Sequence, residues 1–290
     1  MYQIPLIDFC HIKSENIIKQ IYQACSEVGF MYLQNVNISQ DLIEKIFNTS
    51  KSFFNQPLEI KQKSAWSDEF SNQGYVGIER ERLNPNQPGD LKEAFNVSRL
   101  NNQTSHIIAQ YPYIVEFFNA CTKLSNQILE AIGRALELPT NFFANNHNQN
   151  HHTLRLLHYP PLQKSPHSRQ TRAGEHSDYG SITLLFQHEV SGLEVKTISG
   201  EWIAAPVIPG TVVVNTGDLM QRWTNNIFCS TKHRVVIPDN LNQSRYSIAF
   251  FCHPNDDTQI TCLPSCMNES PIYPPISAIE YLLTRLKSTY

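Results

Sequence analysis

The sequence predicts a mainly β protein with flanking helices, in which a jelly-roll core follows an N-terminal helical and mixed portion. Over residues 153–254, short strand-like segments alternate with turns rich in Gly, Pro and Asn, a pattern typical of antiparallel sandwiches and barrels. The residues before this region instead carry apolar side chains at helical spacing. A last helical pattern follows Pro275.

The N-terminal elements are predicted one by one from local signals. Residues 14–27 and 39–55 have apolar side chains at helical spacing, and each segment begins with a serine that can cap a helix. A longer helix is predicted over residues 112–136. The segments QIPLID and GFMYLQNV are strand-like.

The core is predicted as seven strand segments, which are TLRLLHYP, ITLLFQH, GLEVKT, EWIAAPV, TVVVNTG, KHRVVIP and SRYSIAFFCHP. We expect residues 1–290 to form one unit. Its parts are an N-terminal portion (1–110), the long helix with a loop (111–150), the jelly-roll core (151–255) and a C-terminal loop and helix (256–290).

Composition narrows the range of partners. The formal net charge is −3, from 23 basic and 26 acidic residues, so no nucleic-acid surface is expected. No run approaches the ~18 apolar residues that a membrane span needs, and residues 1–10 show no secretory signal. Seven scattered cysteines indicate free thiols in a reducing cytoplasm. We expect a monomer that acts on a small molecule.

The stretch AGEHSDYGSITLLF begins a strand-like run with a histidine and a carboxylate. His176 and Asp178 are two residues apart, so on an extended segment both side chains point to one face. His233 opens a later strand-like segment, STKHRVVIP. Two imidazoles and one carboxylate form the facial triad of non-haem Fe(II) oxygenases. We therefore predict a metal site at His176, Asp178 and His233, with no catalytic residue beyond these ligands.

The segment RYSIAFF predicts a receptor for an anion beside this metal. Arg245 and Ser247 share one face of a strand with Ala249 and Phe251. An arginine that points into a small barrel is costly unless an anion meets it, and its planar fork suits a carboxylate. A metal beside a carboxylate receptor is the arrangement that a 2-oxo acid needs if it chelates iron at one end and is anchored at the other.

These motifs resemble those of the isopenicillin N synthase-like group of 2-oxoglutarate- and Fe(II)-dependent oxygenases. The resemblance covers nearly the whole chain, and its motifs are HSD at 176–178, STKHRV around His233, RYS at 245–247, LLHYPP, VVVNTGDLMQRWTNN, IPLIDF and EVGFMYLQNV. It implies a double-stranded β-helix jelly roll with an N-terminal helical portion packed on it. It also implies that Tyr159 assists Arg245 and Ser247 in binding 2-oxoglutarate.

The resemblance further implies the chemistry. The expected enzyme is a dioxygenase that uses Fe(II), 2-oxoglutarate and dioxygen, with ascorbate as a candidate stimulant. It would oxidise a small polar metabolite by hydroxylation, desaturation or a related C–H oxidation, and it would release succinate and carbon dioxide. Halogenation is not expected, because Asp178 stands where a halogenase has a small residue.

Contacts to the substrate are predicted from alternation and from the resemblance. If Tyr159 points into the barrel, Arg155 shares its face and either binds a substrate carboxylate or pairs with an internal acid. RERL, residues 80–83, is expected to be a solvated loop. We expect an anionic or zwitterionic metabolite, and the other candidate substrate-binding residues are Arg172, Tyr179, Tyr75, Glu79, Phe95 and Phe251.

Two further motifs are assigned to loops. NNHNQNHH, residues 145–152, is a metal-binding tract or a solvated loop, and the loop is favoured. Cys262 and Cys266 form a single pair in CLPSC, and without a second pair at zinc-site spacing they are expected to be ordinary loop cysteines.

Two other functions are compatible with the same motifs. An isopenicillin N synthase-type oxidase keeps the iron triad and an R-x-S pair but uses no 2-oxoglutarate. A non-catalytic jelly-roll protein would bind a metabolite without oxidising it. Dioxygen consumption that persists without 2-oxoglutarate identifies the oxidase, and succinate production excludes both.

Overall fold

Two β-sheets pack face to face and enclose a cavity. The structure is a computed structural model that describes residues 3–83, 87–100, 111–162, 166–167, 169–267 and 269–290. The larger sheet has the strand order β1 (Leu6–Asp8), β2 (Phe30–Gln34), β10 (Thr211–Thr216), β7 (Ile182–Gln187), β12 (Arg245–Cys252), β5 (Thr153–Tyr159), β4 (Glu93–Ser98) and β3 (Gly74–Val76). The smaller sheet has the order β6 (Ala173–His176), β11 (His233–Val235), β8 (Leu193–Lys196) and β9 (Trp202–Ala204).

Strand β1 pairs with β2 in parallel, and the other strand pairs among the described residues are antiparallel. A separate hairpin joins β13 (Gln259–Ile260) to β14 (Ile276–Ser277). The predicted mainly β fold with flanking helices is confirmed, and each of the seven predicted core segments contains one of these strands.

The helices are α1 (Glu15–Glu27), α2 (Gln40–Phe54), α3 (Leu58–Gln62), α4 (Pro112–Ala135), α5 (Phe142–Asn146), α6 (Asp218–Trp223) and α7 (Ala278–Lys287). As predicted, Ser14 and Ser39 accept a backbone N–H in the first turn of α1 and α2, and Ser277 does the same for α7. Within the described ranges, no helix combines the length and the apolar character that crossing a membrane requires.

Helices α1, α2 and α4 cover the outer face of the larger sheet. Their apolar stripes, which include Ile21 and Phe117, form one buried cluster with strand residues such as Ile248 and Phe250. Burying each such side chain contributes about 1.5–3 kcal/mol. Because side chains alternate along a strand, the same β12 that packs on the helices presents Ser247 and its same-face neighbours to the cavity.

The histidine-rich segment is only in part the solvated loop that we expected: residues 145 and 148–150 are exposed, but two of its three histidines are buried. His147 and His152 are buried. The imidazole of His147 donates one hydrogen bond, from Nδ1 to the carbonyl oxygen of Phe143 at 2.7 Å, and its Nε2 lies 2.9 Å from Oγ of Ser181. Burial lowers the pKa of His147 to about 4. These contacts hold the end of α5 against the residue that precedes β7, so His147 is structural.

Residues 80–83 also depart from the expected solvated loop. Arg80 and Arg82 are exposed, but Glu81 between them is buried. The CLPSC pair lies, as expected, in irregular structure that includes the 3-10 turn Pro264–Cys266, and both thiols are free.

Candidate active site

The structure brings the three predicted metal ligands together at one end of the cavity. His176 ends β6, Asp178 follows two residues later, and His233 begins β11 directly opposite His176 in the strand pairing. Asp178 Oδ1 lies 4.0 Å from Nε2 of His176 and 3.7 Å from Nε2 of His233. Among the described residues, these three form the one group of His, Cys, Asp or Glu side chains close enough to share a metal ion.

Hydrogen bonds orient both imidazoles toward the same point. Nδ1 of His176 lies 2.7 Å from the carbonyl oxygen of Gly174, and Nδ1 of His233 lies 3.1 Å from that of Thr231. A carbonyl oxygen only accepts, so Nδ1 donates in each ring and Nε2 keeps its lone pair for a metal. This is the usual way in which a second hydrogen bond selects the ligating nitrogen.

The charge of the group suits a divalent cation. Burial, reinforced by the neighbouring His233, lowers the pKa of His176 to about 3, so this imidazole is neutral at pH 7. Burial would raise the pKa of Asp178, but the two histidines and a 2.7 Å hydrogen bond from Asn215 Nδ2 outweigh it and keep the pKa low. Two imidazoles, of which His176 is neutral, and one carboxylate match the ligand preference of Fe(II).

Close backbone packing holds the carboxylate in place. The segment after Asp178 lies against the turn between β10 and α6, where the backbone N–H of Asp218 donates to the carbonyl oxygen of Asp178 at 2.8 Å. A Cβ atom at Gly217 would overlap the carbonyl oxygen of Gly180. The glycine is therefore required by the close approach, which limits how far Asp178 can move.

The predicted carboxylate receptor lies in the same cavity. Arg245, Ser247 and Tyr159 all line it. The guanidinium of Arg245 donates to Ser247 Oγ and Gln187 Oε1, each at 3.2 Å, and lies 4.7 Å from the ring centre of Tyr159. These partners are all uncharged. Among the described residues no carboxylate pairs with Arg245, its Nε has no partner, and burial lowers its pKa.

Arg155 also lines the cavity, and it has the second of the two partners proposed for it, an internal acid. Both of its terminal nitrogens donate to Glu81, Nη1 to Oε1 at 2.9 Å and Nη2 to Oε2 at 2.6 Å. Lys92 lies 3.1 Å from Glu81 and 2.5 Å from Asp90. The hydroxyl of Tyr290 lies 3.3 Å from Arg155 Nη2. The part of the cavity that Arg155 lines is therefore bordered by a buried network of two acids, Glu81 and Asp90, and two bases, Arg155 and Lys92.

Two other candidate substrate residues line the cavity as expected. Phe251 follows the alternation of β12, and Tyr179 comes directly after the predicted ligand Asp178. The hydroxyl of Tyr179 lies 2.6 Å from Oγ1 of Thr289, and the Arg285 guanidinium lies 4.4 Å from its ring centre. These contacts join the metal end of the cavity to the end of α7.

Tyr75 and Phe95 lie on the opposite side of the larger sheet, away from the cavity lining. Phe95 packs with Phe53 of α2 at a ring separation of 4.4 Å, and Tyr75 donates to Glu93 at 2.6 Å. Neither candidate therefore reaches the cavity, and for Phe95 the reason is that alternation on β4 turns Ala94 and Asn96 toward the inner side instead.

Glu79 and Arg172 also lie outside the cavity lining. Glu79 is exposed and accepts a hydrogen bond from Gln170 at 2.6 Å. Arg172 is buried and donates to the carbonyl oxygens of Pro160 and Leu91. It thereby fastens the ends of three strands, which is a structural position next to the Arg245 pocket.

Several cavity residues were not anticipated. They are Glu81, Lys92, Asn96, Asn215, Leu286 and Tyr290. Asn215 had a local signal, since it is the one polar residue inside the apolar run VVVNT. Asn96 had one too, in the alternation of β4. The others reach the cavity through long-range packing, for which their own segments carry no signal.

Comparison with known proteins agrees with this geometry. The family model of the 2OG-Fe(II) oxygenase superfamily matches residues 144–254, and the model described as non-haem dioxygenase in morphine synthesis N-terminal matches residues 4–114. A proline hydroxylase of Petromyces alliaceus is 34% identical over 96% of this chain and 95% of its own length. A 2-oxoglutarate-dependent dioxygenase of Aspergillus rugulosus is 31% identical over 99% of both chains.

Solved structures extend the comparison. A full-length Neurospora crassa protein, in complex with alpha-KG and thymine, superposes with a TM-score of 0.89 and is 36% identical, covering 99% of this chain and 97% of its own. JOX2, in complex with 2OG, Fe and JA, gives a TM-score of 0.83 at 26% identity, with 97% and 84% covered. The chain therefore belongs to the 2OG-Fe(II) oxygenase superfamily and is an Fe(II)- and 2-oxoglutarate-dependent dioxygenase that acts on a small molecule.

Proposed function

We propose that His176, Asp178 and His233 bind the Fe(II), that Arg245, Ser247 and Tyr159 bind the distal carboxylate of 2-oxoglutarate, and that the enzyme hydroxylates a small, polar, uncharged molecule. The observation that carries this proposal is the buried Arg245, which has only uncharged partners and shares one cavity with the His/Asp/His group. A buried guanidinium of this kind is stable beside a carboxylate that arrives with the ligand.

The residues around the iron have distinct tasks. Bound Fe(II) and 2-oxoglutarate supply the oxidant for a C–H bond by activating dioxygen, coupled to decarboxylation of 2-oxoglutarate to succinate. Gly174 and Thr231 hold the two imidazoles through their Nδ1 protons, and Asn215 holds one oxygen of Asp178. The apolar lining, including Leu185 and Phe251, keeps water away from the reacting centre.

The charge distribution supports an uncharged substrate. Arg155 would attract an anionic substrate if it were free, but Glu81 occupies both of its terminal nitrogens. Among the described residues, the Lys and Arg side chains that line the cavity are Lys92, Arg155 and Arg245. Lys92 and Arg155 are both paired with acids, so Arg245 is left, and 2-oxoglutarate would bind to it. This argues against the anionic metabolite that the sequence suggested.

Hydroxylation is the reaction proposed first, and thymine is the first compound to test. Two observations support them: one relative is a proline hydroxylase, and the Neurospora crassa protein was solved in complex with alpha-KG and thymine. Thymine is small, polar and uncharged at pH 7. Proline, which is zwitterionic, is the informative comparison compound because it tests the charge argument directly.

The test is turnover of the purified enzyme with Fe(II), 2-oxoglutarate and a panel of small molecules that includes thymine and proline. Succinate and a product heavier by one oxygen atom are measured by mass spectrometry, and bound iron is measured in parallel. We expect succinate formation to rise with an uncharged compound, and we expect His176→Ala or His233→Ala to lose both iron and turnover. His11→Ala, at an exposed histidine, is the matched control and should retain both.

Full iron occupancy and turnover in either cavity variant would contradict the metal assignment. Oxidation of a substrate that proceeds without 2-oxoglutarate would contradict the assignment of Arg245. A preference for proline over every uncharged compound would contradict the substrate class while leaving the reaction intact.

A further inference from the structure

We propose that Glu81 sets the charge preference of the substrate pocket: by occupying Arg155 it excludes carboxylates and admits uncharged amide-like substrates. The proposal deepens the proposed function and rests on it for the location of the substrate. Glu81 acts through Arg155 as a specificity-determining residue, and it takes no part in the reaction itself.

The ion pair occupies both terminal nitrogens of Arg155. Each terminal nitrogen donates to a different oxygen of Glu81, at 2.9 and 2.6 Å. This bidentate geometry is the one in which an arginine would otherwise grip a substrate carboxylate. A carboxylate that entered this end of the cavity would have to displace an acid that belongs to the protein.

The network around this pair is electrically balanced. Glu81 and Asp90 carry two negative charges, and Arg155 and Lys92 carry two positive charges, so their sum is zero. All four are buried, with 3%, 2%, 9% and 4% of their surface exposed, respectively. An additional anion would be desolvated here without gaining a free counter-charge, and this is strongly unfavourable in a buried site.

Hydrogen-bonding capacity is nevertheless left over. Nε of Arg155 and Oδ1 of Asn96 are buried without a partner, and the two residues lie opposite each other in the pairing of β4 with β5. Both line the cavity. This residue pair thus has one unused donor and one unused acceptor, which complement the C=O and N–H of an amide, a group that carries no net charge.

The orientation of the Asn96 amide follows from its neighbours. Trp66 Nε1, which can only donate, donates to Oδ1 of Asn72 at 3.1 Å. Asn96 meets the same oxygen at 2.9 Å and must therefore present its Nδ2 there. Its Oδ1 is left as the free acceptor.

The test compares acetate with acetamide, which have nearly the same shape and differ in charge. Protein is loaded with Zn²⁺ and saturating 2-oxoglutarate, so that Arg245 is occupied, and binding is measured by ligand-observed NMR at constant ionic strength. We expect the wild type to bind acetamide more tightly than acetate. In Glu81→Gln the order should invert, with acetate gaining about tenfold or more as Arg155 gains a free fork, equivalent to about 1.4 kcal/mol.

Two further variants make the result specific. Adding Arg155→Gln to Glu81→Gln should abolish the gain. Adding Lys92→Met instead restores a net charge of zero and should keep the gain, and this variant also serves if Glu81→Gln alone does not fold. The proposal is overturned if acetate affinity stays within about twofold of the wild type in folded Glu81→Gln and in folded Glu81→Gln, Lys92→Met. It is also overturned if the gain in acetate affinity persists in Glu81→Gln, Arg155→Gln.

The outcome does not depend on turnover or on the identity of the natural substrate. If thymine is not oxidised but acetate binding responds to Glu81 through Arg155, the charge selector stands and the first choice of substrate is wrong. If an uncharged substrate is oxidised and acetate binding ignores Glu81, the proposed function stands and the selector is wrong.

Discussion

Arg245 and Arg155 lie on neighbouring strands, line the same cavity and are buried to a similar degree, yet they have opposite surroundings. Arg245 on β12 has only Ser247, Gln187 and the ring of Tyr159 as partners. Arg155 on β5 has a bidentate carboxylate. The comparison separates a cavity-lining cation that is left for an anionic ligand, as we propose for Arg245, from one whose acid partner is part of the protein, as for Arg155.

The titration behaviour of the two groups differs for the same reason. Burial lowers the pKa of Arg245, and the nearby Tyr159 does not compensate. Burial also acts on Arg155, but the charge of Glu81 outweighs it and raises the pKa. The two arginines are separated by four residue pairs along the β5–β12 ladder, since Arg245 pairs with Tyr159 and Ala249 pairs with Arg155. One cavity therefore contains a cation with uncharged partners and a cation that is neutralised by a carboxylate.

The largest effect is expected on stability. Arg155→Gln removes one member of the buried network and should lower the free energy of unfolding by about 3–5 kcal/mol. Arg245→Gln should cost far less, because it removes a buried cation that has no acid. Urea unfolding of the ligand-free proteins measures both. Arg134→Gln, which breaks the exposed pair with Glu15, is the control and should cost about 0–1 kcal/mol. Equal losses of unfolding free energy in Arg155→Gln and Arg245→Gln would contradict the distinction between the two arginines.

The second effect concerns 2-oxoglutarate affinity. Arg245→Gln loses a buried charge-assisted pair, which costs about 2–5 kcal/mol, or roughly thirty-fold to several-thousand-fold in apparent affinity. Iron binding should survive, because the proposed ligands are untouched. Calorimetric titration with 2-oxoglutarate on metal-loaded protein measures the change. The matched variant is Arg155→Gln, whose 2-oxoglutarate affinity should stay within about threefold of the wild type. An unchanged affinity in Arg245→Gln would refute the receptor.

A third, smaller effect is the dependence of stability on pH that comes from Glu81, the carboxylate paired with Arg155. Burial alone would raise the pKa of Glu81, but Arg155 and Lys92 lower it from 4.5 to about 2. A carboxyl whose pKa is depressed on folding stabilises the protein above the unfolded pKa, and this stability is lost as the pH falls toward the folded value. Glu81 should therefore contribute a loss of roughly 2 kcal/mol between pH 5 and pH 3.

Urea unfolding at pH 5, 4 and 3 measures this slope for the wild type and for Glu81→Gln, which has no carboxyl at this position. The variant should be less stable than the wild type at pH 5, and the difference should shrink as the pH falls. A difference that stays constant with pH would mean that Glu81 does not titrate in this window and that the pairing with Arg155 is weak.

The smallest effect is expected away from the cavity. Cys262 and Cys266 lie beyond the last core strand, so a Cys262→Ser, Cys266→Ser double variant should keep iron content, 2-oxoglutarate affinity and turnover. Because Cys266 is buried, a stability cost of about 1–2 kcal/mol is expected from burying a hydroxyl. Iron loss in proportion to turnover would instead place the thiols at the metal site and break the assignment of the His/Asp/His group.

Much of the site could be predicted from local patterns. The spacing of His176 and Asp178 and the alternation along RYSIAFF depend on the two-residue period of a strand, which any segment carries in its own sequence. The same period placed Arg155 and Tyr159 on one face, and both do line the cavity. Where the period was not applied, as for Phe95 on β4, the expected position was wrong.

The sequence by itself determined the seven core strand segments, the helices over residues 14–27, 39–55 and 112–136 and the inward direction of the candidate ligands, because these follow from interactions between residues close in the chain. Only the tertiary structure decided which inward charges are neutralised. Glu81 meets Arg155 from 74 positions away, and the segment RERL has no local feature that predicts burial. A buried charge is stable only with its partner in place, so the difference between a ligand receptor and a structural ion pair arises when distant segments pack together.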